Sequence, residues 1–182
     1  FKDIQKLPGL SEEAYSFDML GEAARTPSQA ENYFESYLNA IDEVAKINLV
    51  KNLSHGVSIK ISALHPRYEM RKIDDINLEL VPRLKELVHH AYSKDVEITI
   101  DAEEQDRLSL SLHIIEQLAF DKKIKNWNKF GIALQAYSKR SFDAIDWLNS
   151  ALDKRAEMHL RLVKGAYWDY EIKHAQVSGY DG

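Results

Sequence analysis

The sequence predicts an α/β fold, a TIM-like (β/α)8 barrel of which this chain carries about the first five β/α units. Three observations lead there. Short aliphatic, β-branched runs alternate with long amphipathic stretches, and crossovers of that length join parallel strands. The strand runs carry one aliphatic and one polar face each. No glycine-rich turn follows the first strand, so the dinucleotide fingerprint of a doubly wound sheet is missing. A complete barrel takes eight strands and about 250 residues, whereas the chain has 182. It starts at Phe1 without an initiator Met and ends directly after a helical pattern. Residues 1–182 are therefore expected to be the N-terminal portion of one barrel domain, with the C-terminal strands and helices lying outside this chain.

The elements follow in order. Phe17–Gly21 (FDMLG) is the first strand candidate. Thr26 then offers an N-cap with Pro27 at the first helical position. Ala30, Phe34, Tyr37, Leu38, Ile41, Val44 and Ala45 recur at steps of three and four, the spacing of one helix face. Val57–Leu64 (VSIKISAL) reads as the second strand, and Leu80, Leu84, Leu87, Val88 and Ala91 as the next helix face. Val96–Ala102 (VEITIDA) is the third strand, followed by a helix with Leu108, Leu112, Ile115 and Leu118. Phe130–Tyr137 (FGIALQAY) is the fourth, and Ser141 can cap the helix bearing Phe142, Ile145 and Leu148. Met158–Lys164 (MHLRLVK) is the fifth, with a final helix starting near Trp168.

Composition narrows the function. Lys and Arg number 24 against 29 Asp and Glu, a net charge of −5, which disfavours binding to a nucleic-acid backbone. Cysteine is absent, which removes disulfides, thiolate metal sites and cysteine nucleophiles. No apolar run approaches the ~20 residues of a membrane span.

Successive strand residues face opposite sides. Val57, Ile59 and Ile61 oppose Ser58, Lys60 and Ser62. Ile98 and Ile100 oppose Thr99 and Asp101. Ile132 and Leu134 oppose Ala133 and Gln135, and Leu160 and Leu162 oppose His159 and Arg161. The aliphatic faces suit packing under the helices. The polar faces would then line the barrel, with Lys60, Asp101, Gln135 and Arg161 near the C-terminal strand ends where barrel active sites are built. Unpaired buried charge costs several kcal/mol, so these groups must pair with one another or with a ligand.

Other chemistries compete for the same residues. Lys60 or Lys164 could form a Schiff base in an aldolase-type lyase, and a non-catalytic barrel fragment is a further alternative. Asp101, Glu103, Glu104 and Asp106 could hold a hard cation. The last three read better as an acidic helix start that favours the helix dipole, so no metal site is expected. His89 and His90 are adjacent and share no helix face. They read as surface residues, as does the basic run Lys122–Lys125. His65 and His174 read as loop or surface positions, and Trp127 as an anchor.

Five segments go beyond periodicity: Tyr15–Ala24 (YSFDMLGEAA), Ser58–Glu69 (SIKISALHPRYE), Ile100–Ser111 (IDAEEQDRLSLS), Leu134–Arg140 (LQAYSKR) and Leu160–Gln176 (LRLVKGAYWDYEIKHAQ). In this order they closely resemble the proline dehydrogenase domain of the bifunctional proline utilization A flavoenzyme family. The resemblance implies an FAD-bearing distorted barrel that oxidises L-proline to Δ1-pyrroline-5-carboxylate by hydride transfer to flavin N5. This is the first step of proline catabolism to glutamate, with electrons passing to a membrane quinone. It also implies a fused aldehyde dehydrogenase domain in the parent chain, and a cytoplasmic enzyme with peripheral contact at the inner membrane face.

By the same resemblance, Arg161 lies beside the flavin N5 region. Lys164, Gly165, Ala166, Tyr167 and Trp168 line the cofactor, with Tyr167 also near the substrate. Ala133 and Gln135 contact the flavin, Asp101 is the core aspartate and Lys60 receives the proline carboxylate. Asp18 and Glu22 match acidic positions that organise the site indirectly. Arg161, Asp101 and Lys60 are thus the expected catalytic residues. Such roles suit the residue types: a buried cation holds a carboxylate, and a guanidinium stays charged at any working pH.

Overall fold

The computed structural model describes residues 13–51, 53–152 and 154–180. Five strands form one parallel sheet: β1 (Ser16–Asp18), β2 (Gly56–Ile59), β3 (Glu97–Ile100), β4 (Phe130–Gln135) and β5 (His159–Val163). Each is followed by a helix: α1 (Pro27–Lys51), α2 (Val81–Lys94), α3 (Leu108–Ala119), α4 (Ser141–Leu152) and α5 (Trp168–Ser178). The spatial order is β1-β2-β3-β4-β5. A doubly wound sheet reverses its strand order partway; strictly sequential neighbours are the signature of barrel winding.

The sheet also curls. In a flat sheet β1 and β5 would stand about 19 Å apart, far beyond the reach of one side chain. Here Arg161 on β5 donates a hydrogen bond to Ser16 Oγ on β1 at 3.3 Å. The polar face is therefore concave and lies inside, while the aliphatic face lies under the helices. Val57, Ile59, Ile98, Ile100, Phe130, Ile132 and Leu134 are all essentially inaccessible. All of these but Leu134 pack in one core with Tyr37, Ile41 and Val44 of α1, Leu84 and Leu87 of α2, and Ile114 and Leu118 of α3. Each such side chain contributes about 1.5–3 kcal/mol through burial.

Local chemistry sets the element ends. Thr26 Oγ1 accepts the Gln29 N–H at 3.1 Å, so α1 starts at the expected cap. The first strand spans Ser16–Asp18 rather than Phe17–Gly21. The second stops at Ile59, and Ile61–Leu64 forms a buried 3-10 turn instead of more strand. The Tyr37 hydroxyl from α1 accepts the Lys60 N–H at 3.1 Å, and Ala63 N–H turns back onto Lys60 O at 3.2 Å. Lys60 consequently sits at a bend, and Ser62 leaves the strand alternation. Ser141 begins α4 but does not cap it, because its hydroxyl donates to Gln135 O. Leu160 and Leu162 face outward as expected, yet remain 43% and 57% exposed instead of covered by helix.

Candidate active site

The concave face opens into a cavity of about 460 Å³ at the C-terminal ends of the strands. Lys60, Asp101, Ala133, Gln135, Arg161, Lys164, Gly165, Ala166 and Tyr167 all line it, together with Asp18 and Glu22. Trp168 does not; it stands at the start of α5, largely exposed, with its ring edge-on to Tyr137 at 5.6 Å.

Three strands bring the charges together. Asp101, just past β3, is the hub: one carboxylate oxygen accepts from Lys60 Nζ at 3.3 Å and the other from an Arg161 guanidinium nitrogen. Lys60 also reaches Asp18 at 2.5 Å. Burial pushes the Asp101 carboxyl up from its ordinary value, against the pull of the two cations. Burial alone would lower the Lys60 ammonium, but Asp18 and Asp101 outweigh it and hold the pKa above that of an ordinary lysine. A Schiff-base lysine needs a depressed pKa to be a nucleophile, so Lys60 is tuned away from aldolase chemistry and toward a permanent cation.

Gln135, 1% exposed, works as a clamp. Its amide nitrogen donates to Glu103 O at 2.7 Å and its carbonyl accepts the Ala166 N–H at 2.7 Å. Glu103 in turn accepts the Ser62 N–H at 3.0 Å. This chain of hydrogen bonds ties the ends of β2, β3, β4 and β5 into one rim. Glu103 is thus no dipole-serving residue at an exposed helix start. It is buried, and burial raises its carboxyl above the usual range despite the Ser62 contact. Among the described residues Glu104 and Asp106 carry no such rim contact, and Arg107 pairs with Glu104 at 3.3 Å.

Two loops complete the rim. Ala23 and Ala24 donate their N–H groups to the hydroxyl and carbonyl of Ser62, each at 2.9 Å, with Ala23 at φ +49°. Gly165 has φ +155°, and a Cβ there would lie 1.8 Å from Tyr137 Cδ1. Glycine therefore lets the segment after β5 run flat against that ring. The Tyr167 hydroxyl donates to Glu22 at 3.0 Å, and burial followed by the Glu22 charge raises its pKa.

Some of this was invisible in the sequence. Ser58, Ser16, Ser62 and Tyr37 carry no motif of their own, and only the inward alternation hinted at Ser58. Of the histidines, His89 and His90 are half-buried and paired with Asp121 and Asp42, both at 2.9 Å. Trp127 is buried edge-on to Tyr92, as an anchor should be.

A family model described as "Proline dehydrogenase" matches residues 2–182. The chain belongs to the proline dehydrogenase family. The "Bifunctional protein PutA" of Escherichia coli (strain K12) is 47% identical over 171 residues, covering 92% of this chain and 13% of that protein; the PutA of Klebsiella aerogenes gives the same figures. A crystal structure of the Bradyrhizobium japonicum proline utilization A D779Y mutant superposes with TM-score 0.88 at 45% identity, covering 93% of this chain and 18% of that one. The chain thus spans about an eighth of the length of these curated relatives. The five β/α units are those of a proline dehydrogenase barrel. Among the described residues no helix is long and apolar enough to cross a membrane.

Proposed function

We propose that this chain builds one wall of the active site of an FAD-dependent proline dehydrogenase, oxidising L-proline to Δ1-pyrroline-5-carboxylate. The observation that carries the reading is the convergence of Lys60, Asp101 and Arg161 from three strands on one cavity. Membership in the proline dehydrogenase family supports it.

The residues fit FAD. Isoalloxazine is flat and rimmed with hydrogen-bond acceptors, so it needs a smooth floor and spare donors. Ala133, Gly165 and Ala166 offer small side chains in the cavity wall. Arg161 spends its Nη groups on Ser16, Ser58 and Asp101, and among the described residues nothing takes its Nε–H. Gln135 retains one amide hydrogen after its contact with Glu103. Arg161, Gln135, Ala133, Asp101 and the Lys164–Trp168 segment would hold the cofactor, with Trp168 entering only by a change of its present position. Bound there, FAD supplies the acceptor for the hydride that leaves the proline carbon beside nitrogen.

The chain's own residues do the rest. Arg161 presents a fixed positive charge, and electrostatic preorganisation of this kind is a large term in catalysis. Lys60, kept cationic by its carboxylate neighbours, has an ammonium free to exchange Asp18 contact for a substrate carboxylate. Tyr167 closes the side of the pocket, oriented by Glu22. Asp101 fixes both cations relative to each other.

The longer protein would carry a fused aldehyde dehydrogenase and hand electrons to a membrane quinone, working in the cytoplasm with peripheral contact at the inner membrane face. The test is anaerobic addition of L-proline to the FAD-loaded full-length protein. Flavin absorbance should bleach. A properly loaded flavin that stays oxidised, or a borohydride-trapped lysine adduct in its place, would reject the proposal.

A further inference from the structure

The Arg161 guanidinium is held from two directions. Asp101 takes one Nη group. Ser58 Oγ lies 3.1 Å from both Nη atoms, and Ser16 Oγ lies 3.3 Å from Nη1. The two serine hydroxyls are 3.0 Å apart. Arginine can only donate, so both serine oxygens must accept from it. The two hydroxyls share one further hydrogen bond, in which either can be the donor.

Burial makes this arrangement specific. Ser58 is 2% exposed, so water cannot readily replace its hydroxyl. Its backbone is fixed in the parallel ladder between Asp18 of β1 and Thr99 of β3. The Arg161 side chain, by contrast, is 38% exposed on its cavity side. The Asp101 contact alone leaves the guanidinium able to pivot about one anchored nitrogen. A second anchor beneath it fixes the plane.

We infer that Ser58, oriented by Ser16, is a positioning residue that locks the plane of the Arg161 guanidinium at the cavity wall. The inference rests on the flavin-side role proposed above for Arg161. It assigns no proton transfer to either serine.

The experiment uses the FAD-loaded full-length protein with Ser58→Ala, Ser16→Ala, Ser58→Thr and Arg161→Met. Two quantities are measured: the midpoint potential of the bound flavin, and the rate of its anaerobic reduction by L-proline. A role in folding alone would leave the potential unmoved. Losing a hydrogen bond to a charged group is expected to slow reduction by about tenfold or more in Ser58→Ala. The potential should shift in the same direction as in Arg161→Met. Ser16→Ala should show a smaller change of the same sign, and Ser58→Thr should recover most of the loss. If Ser58→Ala does not fold, Ser16→Ala carries the test, because position 16 is exposed. An unshifted potential and a rate within about twofold of wild type in the serine variants, while Arg161→Met changes both, would overturn the role of Ser58 alone. No change in Arg161→Met would reject the reading of Arg161, and the inference with it.

Discussion

Strands β3 and β5 carry the same alternating pattern and reach opposite states of burial. Ile98 and Ile100 on the outer face of β3 are fully inaccessible, whereas Leu160 and Leu162 on the outer face of β5 are about half exposed. β3 is paired on both sides, with β2 and β4, while among the described residues β5 pairs only with β4. On the inner face the two strands behave alike, because Asp101 and Arg161 meet there. Alternation therefore fixes which way a side chain points. Coverage comes from neighbours far away in sequence.

The sharpest way to break that comparison is to truncate matching positions. Ile98→Ala removes a fully packed side chain and should cost about 2–5 kcal/mol. Leu162→Ala removes one that is 57% exposed and should cost less than about 1 kcal/mol. Urea unfolding of the two variants side by side measures the difference. Equal costs would mean that β5 is as well covered as β3.

Next in size is Gly165→Ala. Its φ of +155° disfavours any side chain, and the new Cβ would meet the Tyr137 ring. Strain of this kind costs about 1–3 kcal/mol. The segment after β5 should lift, parting the Ala166 N–H from Gln135. Full-length protein carrying the substitution should reconstitute with FAD more weakly while its far-ultraviolet circular dichroism stays unchanged. Undiminished FAD affinity would show that the flat course of this segment is dispensable.

How much of this was legible in the sequence follows from the same contrast. The helices, the strand centres and the inward set of Lys60, Asp101, Gln135 and Arg161 rest on local periodicity, which a single sequence displays. The end of β2 does not. Isoleucine and serine at positions 61 and 62 continue the alternation, and only the Tyr37 hydroxyl, 23 residues earlier, turns the chain there. Glu103 misled for a related reason. An acid before a helix ordinarily faces water, and here the bend after β2 delivers the Ser62 N–H to it. Ser58 and Ser16 are common residues whose role appears only once Arg161 crosses the barrel to meet them.

Gly131 tests the inner layer below Arg161. A Cβ at that position would lie 2.1 Å from the His159 ring, which passes over it to bond Thr99 Oγ1 at 2.9 Å. Gly131→Ala should displace the ring and cost about 1–3 kcal/mol. Urea midpoints would register it. A loss well below that range would mean that the barrel interior has slack at this level.

The smallest effect concerns the same imidazole. Burial lowers the His159 pKa, Glu97 at 3.8 Å opposes that, and Arg161 and Arg155 reinforce it. In the unfolded chain histidine titrates near its ordinary value of about 6.5. Above that pH both states are neutral and the residue contributes nothing to pH dependence. As pH falls through that value, the unfolded chain takes up a proton that the folded one resists. Stability is therefore lost down to the folded pKa, below which the loss stays constant. The urea midpoint of the wild type should thus drop more between pH 7.5 and 5.5 than that of His159→Gln. The substitution removes the titrating ring, so the difference between the two proteins reports on it. Parallel curves would mean that Glu97 compensates the proton fully, and that electrostatic pairing, not burial, governs the layer on which the Arg161 site rests.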